Sequence, residues 1–163
     1  MKKIIIIGTA IVLGLIGLML WGWNSQISGI PQNSGTVSSL TTPEKLYNFG
    51  TISMKNGLVS RIFKVVNSSD KDIYVKKINT SCMCTRAYIK GANGEKGPFG
   101  MEGMAYLPPA NENIKAGESR DIRVVYDPNA HGPAGVGAID RFIYLTDASG
   151  ATLQLEIKAV VTP

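Results

Sequence analysis

Histidine and cysteine are scarce in this chain: 163 residues hold one histidine and two cysteines. That is too few for paired Cys-x-x-Cys zinc knuckles. The lone histidine, His131, has no serine or cysteine nucleophile motif to work with, so a catalytic triad has no footing. Neither glycine-rich stretch opens a helix, which removes the usual phosphate cradle. The net charge is +5, but the basic residues are scattered, with no stripe and no aromatic interleaving, so nucleic acid is not an expected partner. No amphipathic helical pattern follows the first two dozen residues. The chain reads as no enzyme.

What is present begins with an apolar run. Ile4 to Trp23 carries no charge, and at about 1.5 Å per helical residue it matches a hydrocarbon core of about 30 Å. Lys2 and Lys3 precede it and no basic cluster follows closely, which predicts a cytoplasmic N-terminus at residues 1–3 and a signal-anchor helix at 4–23. Trp21 and Trp23 fall where the far headgroup layer would lie. A cleaved secretory signal is the rival reading, but the run is longer than the usual apolar core and no A-x-A pattern follows it. Both readings carry the rest of the chain across the membrane, to the periplasm or cell surface. Residues 24–43, rich in Ser, Thr, Gly, Asn and Gln, have the composition of a flexible linker.

From residue 44 to 163 short alternating runs are separated by turn signals. In Thr152–Val161 the side chains of Leu153, Leu155, Ile157, Ala159 and Val161 point one way, and a mostly polar set points the other. Ala138–Thr146 joins that strand through Asp147-Ala148-Ser149-Gly150, a hairpin connection. Asp121–Tyr126 ends at Asp127-Pro128-Asn129, and Leu58–Val66 ends at the polar turn 67–72. Ile73–Ile78 and Thr85–Ile89 flank the cysteines, and Leu46–Phe49 opens the domain. The expectation is an all-β, immunoglobulin-like two-sheet sandwich of about seven to eight strands. Lys90–Asn113, dense in glycine and proline, interrupts the rhythm as a long loop.

Several short motifs occur in a telling order: Tyr47-Asn48-Phe49-Gly50-Thr51-Ile52, Phe63-Lys64-Val65-Val66-Asn67, Thr80-Ser81-Cys82-Met83-Cys84-Thr85, Lys115-Ala116-Gly117-Glu118-Ser119 and Val125-Tyr126-Asp127-Pro128. In these the chain resembles an uncharacterised bacterial family of exported Ig-like domains with a Ser-Cys-x-Cys-Thr motif, related to the ASH (Hydin-type) and major-sperm-protein-like sandwiches. The resemblance implies that fold and a scaffolding or binding role, and brings no reaction with it. Met83 stands where that pattern usually has glycine, and Ala116 where proline is common.

The residues with distinctive chemistry are Cys82 and Cys84. In an extended segment their Cα atoms would lie roughly 6.5–7 Å apart on one face, at the edge of the range of about 4.4–6.8 Å that a disulfide accepts. Three roles are open: a structural pair or disulfide, a thiol-redox site, or a soft bidentate clamp for Cu(I). In the copper reading Met101 or Met104 adds a thioether and His131 is an outside candidate. Met83 would face the opposite side of an extended strand unless the backbone turns there.

The leading expectation is therefore a membrane-tethered Ig-like adaptor that binds another envelope or membrane protein. A copper(I)-handling protein is the alternative, and a thiol-redox accessory protein the second.

Overall fold

A computed structural model describes residues 38–91, 93–104 and 106–163. The expected cytoplasmic residues, the anchor at 4–23 and most of the linker lie outside them. Among the described residues no helix is long and apolar enough to cross a membrane.

Among the described residues ten strands form two five-stranded sheets. The first holds, in spatial order, β1 (Leu40–Thr41), β3 (Val59–Asn67), β8 (Ser119–Tyr126), β5 (Thr85–Gly91) and β6 (Gly94–Phe99). The second holds β2 (Leu46–Ser53), β10 (Thr152–Thr162), β9 (Gly137–Asp147), β4 (Ile73–Thr80) and β7 (Glu112–Ile114). Every pairing is antiparallel except β2 with β10. The fold is the all-β two-sheet sandwich that the alternation predicts, with more strands than expected.

The core follows from the period-two pattern. Along β10 the residues Leu153, Leu155, Ile157, Ala159 and Val161 are all buried. With Ile78, Ile143 and Leu145 they pack in one cluster with Phe63, Val65, Ile89, Ile122 and Val124 of the other sheet. Each fully buried aliphatic side chain of this kind contributes about 1.5–3 kcal/mol.

Turn chemistry closes the strands where the polar clusters stand. Asp147 Oδ1 accepts from the backbone N–H of Ser149 at 2.8 Å and of Ala151 at 3.0 Å. That holds the β9–β10 hairpin, with Gly150 at a positive φ of 89°. Asn67 is wholly buried. Its Nδ2 donates to the carbonyls of Lys71 and Ile114, both at 2.8 Å, while its Oδ1 accepts from Ser69 N at 3.0 Å.

Two sequence expectations change. Leu40–Thr41 pairs with Asn67 and Val66, and Leu40 is buried, so the sheet takes in chain whose composition reads as linker. The Lys90–Asn113 stretch is not one loop, since β6 hydrogen-bonds to β5 and β7 to β4. Phe99 from this stretch is fully buried. Its glycines and prolines hide the strand signal because they break the alternation on which the reading depends.

A buried acid ties the two sheets together. Glu112 on β7 meets Lys96 Nζ of β6 at 2.8 Å and Arg120 Nε of β8 at 2.8 Å. A Cβ at Gly91 would come within 2.5 Å of the Glu112 carboxylate, so the glycine on β5 gives the acid its space. Burial pushes the Glu112 pKa up, but the hydrogen bonds and charges of Arg120 and Lys96 outweigh it and hold the group below its ordinary value. A carboxyl depressed in the folded state adds stability above the unfolded-state pKa of about 4.3, and that stability is lost as pH falls through the folded value. Glu112→Gln should therefore cost about 2–3 kcal/mol at neutral pH. In urea unfolding, the gap between wild type and variant should close as the pH drops below about 4; a gap independent of pH would refute the assignment.

Candidate functional site

The chain passes from one sheet to the other between Thr80, the last residue of β4, and Thr85, the first of β5. Ser81–Cys84 makes this crossing as a turn, not as the extended segment assumed from spacing. Thr85 N donates to Cys82 O at 3.1 Å, and the Thr80 hydroxyl lies 3.0 Å from Cys82 O and 3.1 Å from Thr85 O. Ser81 grips β9: its N–H donates to Phe142 O at 2.9 Å and its Oγ accepts from Phe142 N at 2.9 Å. Asp127 N donates to Cys84 O at 2.9 Å and fixes the far side.

The turn shortens the Cys82–Cys84 Cα separation to 5.3 Å, and the two sulfurs are joined as a disulfide. Their surroundings differ. Cys84 is 2% exposed and Cys82 9%, while Met83 between them is 46% exposed. Cys84 N donates to Cys82 Sγ at 3.3 Å.

His131 reaches the pair from the loop after β8. Asp127 Oδ1 accepts from Asn129 N at 2.9 Å, Gly132 N donates to Asn129 O at 2.9 Å, and Asn129 Nδ2 donates to Met54 O at 2.8 Å. This ordered loop sets His131 Nε2 3.2 Å from Cys82 Sγ. The ligand atoms of Cys82, Cys84 and His131 all lie within 4.8 Å of one another.

Arg141, a residue the sequence reading missed, completes the surroundings. From β9 its Nε donates to Cys84 Sγ at 3.3 Å, and its Nη1 donates to the Asp140 carbonyl at 2.8 Å. No linear signal marks it, because its meeting with Cys84 depends on how β9, β4 and β5 are placed. Tyr126 is buried behind the site. Burial pushes its hydroxyl pKa above the ordinary value, the Arg141 charge opposes that rise, and Asp127 adds to it.

Of the five residues singled out from sequence, the structure thus joins Cys82, Cys84 and His131. Met101 forms an isolated backbone bridge with Thr80, whose N–H donates to Gly100 O at 3.0 Å. It lies at the same end of the sandwich. Met104 is 54% exposed, on a turn pinned by the Lys77–Glu102 ion pair. Reduced, the cluster offers two thiolates and an imidazole, a soft donor set suited to Cu(I) and one ligand short of a closed zinc site.

Residues 40–101 match the model of a family described as "Protein of unknown function (DUF1573)". The match bears out the resemblance to an uncharacterised bacterial family and includes the cysteine turn, though not His131 or Arg141. No curated protein matches the sequence. Among solved structures, a protein of unknown function from Porphyromonas gingivalis W83 is similar at 14% identity and a TM-score of 0.53, over 74% of this chain and 46% of that one. The VesB protease of Vibrio cholerae is 15% identical with a TM-score of 0.49, over 76% and 32%. The E. coli chaperone DraB is 14% identical with a TM-score of 0.38, over 78% and 56%. The chain spans under half the length of the Porphyromonas protein, and likeness at this identity shows the fold alone.

The bridge closes a sequence separation of only two residues, so it restricts the unfolded chain little, by about 1–2 kcal/mol on the loop-entropy account. Replacing both cysteines by serine should leave the far-UV circular dichroism unchanged and lower Tm by a modest amount. Collapse of the fold in that variant would make the pair a structural staple.

Proposed function

We propose that this chain is a membrane-tethered, extracytoplasmic Ig-like module that binds Cu(I) and passes it to or takes it from another envelope protein. The observation that carries this reading is the placing of His131 on Cys82 from 49 positions away in sequence. His131 remains exposed at the surface, with its Nε2 turned to the Cys82 sulfur. The ligands are the Cys82 and Cys84 thiolates and the neutral His131 imidazole through Nε2. The thioether of Met101, whose backbone bridges Thr80 beside the cysteine turn, is a candidate further soft donor. The uncharged run at 4–23, with Lys2 and Lys3 before it, supports the tether and the extracytoplasmic address.

The disulfide is the resting oxidised form. An envelope dithiol reduces it, giving two electrons and two protons to yield two thiols and becoming a disulfide itself. Cu(I) then displaces both thiol protons as it binds. The linkage makes metal uptake dependent on prior reduction and weaker at low pH.

A second reading, thiol–disulfide exchange, is favoured by the unequal exposure of the two cysteines, 9% for Cys82 and 2% for Cys84. A partner thiolate attacking Cys82 Sγ would form a mixed disulfide and expel Cys84 as a thiolate beside Arg141, with a second partner thiol releasing the mixed disulfide.

A competition titration of Cu(I) into the reduced full chain in detergent separates the readings. One-to-one binding should be abolished in the Cys82→Ser/Cys84→Ser variant and weakened by about tenfold or more in His131→Ala. Binding no tighter than that of the double variant would sink the copper reading and leave thiol exchange.

A further inference from the structure

Building on the copper reading, we infer that Arg141 sets which metal the site takes, favouring monovalent Cu(I) over divalent Zn(II) by balancing the charge of the occupied cluster. Arg141 is held in place by its bond to the Asp140 carbonyl and directed by its Nε onto Cys84 Sγ at 3.3 Å. Among the described residues its guanidinium makes no salt bridge with a carboxylate.

Neither neighbouring acid is bonded to it: Asp127 Oδ1 accepts from Asn129 N, and Asp140 shares Lys158 with Glu156, at 3.5 Å and 2.7 Å. Against the neutral disulfide the guanidinium has no carboxylate bonded to it among the described residues. Two thiolates supply a counter-charge. With Cu(I) and a neutral imidazole the cluster carries one net negative charge, which Arg141 cancels. With Zn(II) the cluster is already neutral, and Arg141 gains no partner charge beside a cysteine that is 2% exposed. Charge left uncompensated in such a setting is disfavoured.

Arg141 is thus a positioning residue, acting on the metal through Cys84. A merely structural arginine would shift both affinities together, whereas charge balance acts on the anionic Cu(I) complex and leaves the neutral Zn(II) complex nearly unchanged. The test titrates Cu(I) and Zn(II) separately into the reduced full chain in detergent, each against a chromophoric chelator. Wild type is compared with Arg141→Gln, with Arg141→Met, which keeps an apolar stem, and with Arg141→Lys.

The ratio of Cu(I) to Zn(II) affinity should fall by about tenfold or more in the two neutral variants, and Arg141→Lys should restore most of it. Either neutral variant suffices if the other fails to fold. An unchanged ratio in a folded neutral variant, with Cu(I) binding by wild type intact, would overturn the role of Arg141 alone. Failure of wild type to bind Cu(I) would overturn this inference together with the reading beneath it.

Discussion

The passage of the chain from one sheet to the other at the cysteine turn constrains everything built around it. Face-packed sheets lie about 10 Å apart, and only Ser81–Cys84 separates the end of β4 from the start of β5. Five extended steps reach about 16 Å, more than that gap, and the spare length is taken up as a bend. Bending brings residues 82 and 84 close enough to bond, and it puts Met83 on the outside of the curve. Backbone bonds with Phe142 and Asp127 hold the bend from both sides. Sites carried by such a scaffold are set by its packing and need little ordering on use.

Much of this architecture could be read along the chain. β10 shows strict alternation, and the Asp147–Gly150 connection has the residue types its turn requires. The Asn67–Asp72 turn was equally legible, because a buried asparagine that closes a turn writes itself as Asn-Ser-Ser-Asp. In these cases the physics is local, and local physics leaves a local pattern.

What stayed hidden was non-local. β1 is two residues long, and β7 three; neither can display a period. β6 reads Gly-Glu-Lys-Gly-Pro-Phe, in which only Phe99 signals the core. The cysteine pair drew notice as a motif, but the extended geometry assumed for it was wrong because a sheet crossing, not a strand, holds it. His131 was suspected only as a candidate. Its approach to Cys82 depends on Tyr126 pairing with Thr85, which brings the loop after β8 beside the cysteine turn. Arg141 depends on a still longer chain of registers, and nothing in its strand separates it from an ordinary surface arginine.

The short strand β1 has a geometrical consequence. Leu40 pairs with Asn67 at one end of β3, whereas Val59 at the other end pairs with Tyr126, next to the cysteine turn. Along the nine residues of β3 these points are separated by roughly 25 Å. The sandwich therefore has two poles. The first described residues lie at one, and the sulfurs, His131 and Arg141 gather at the other.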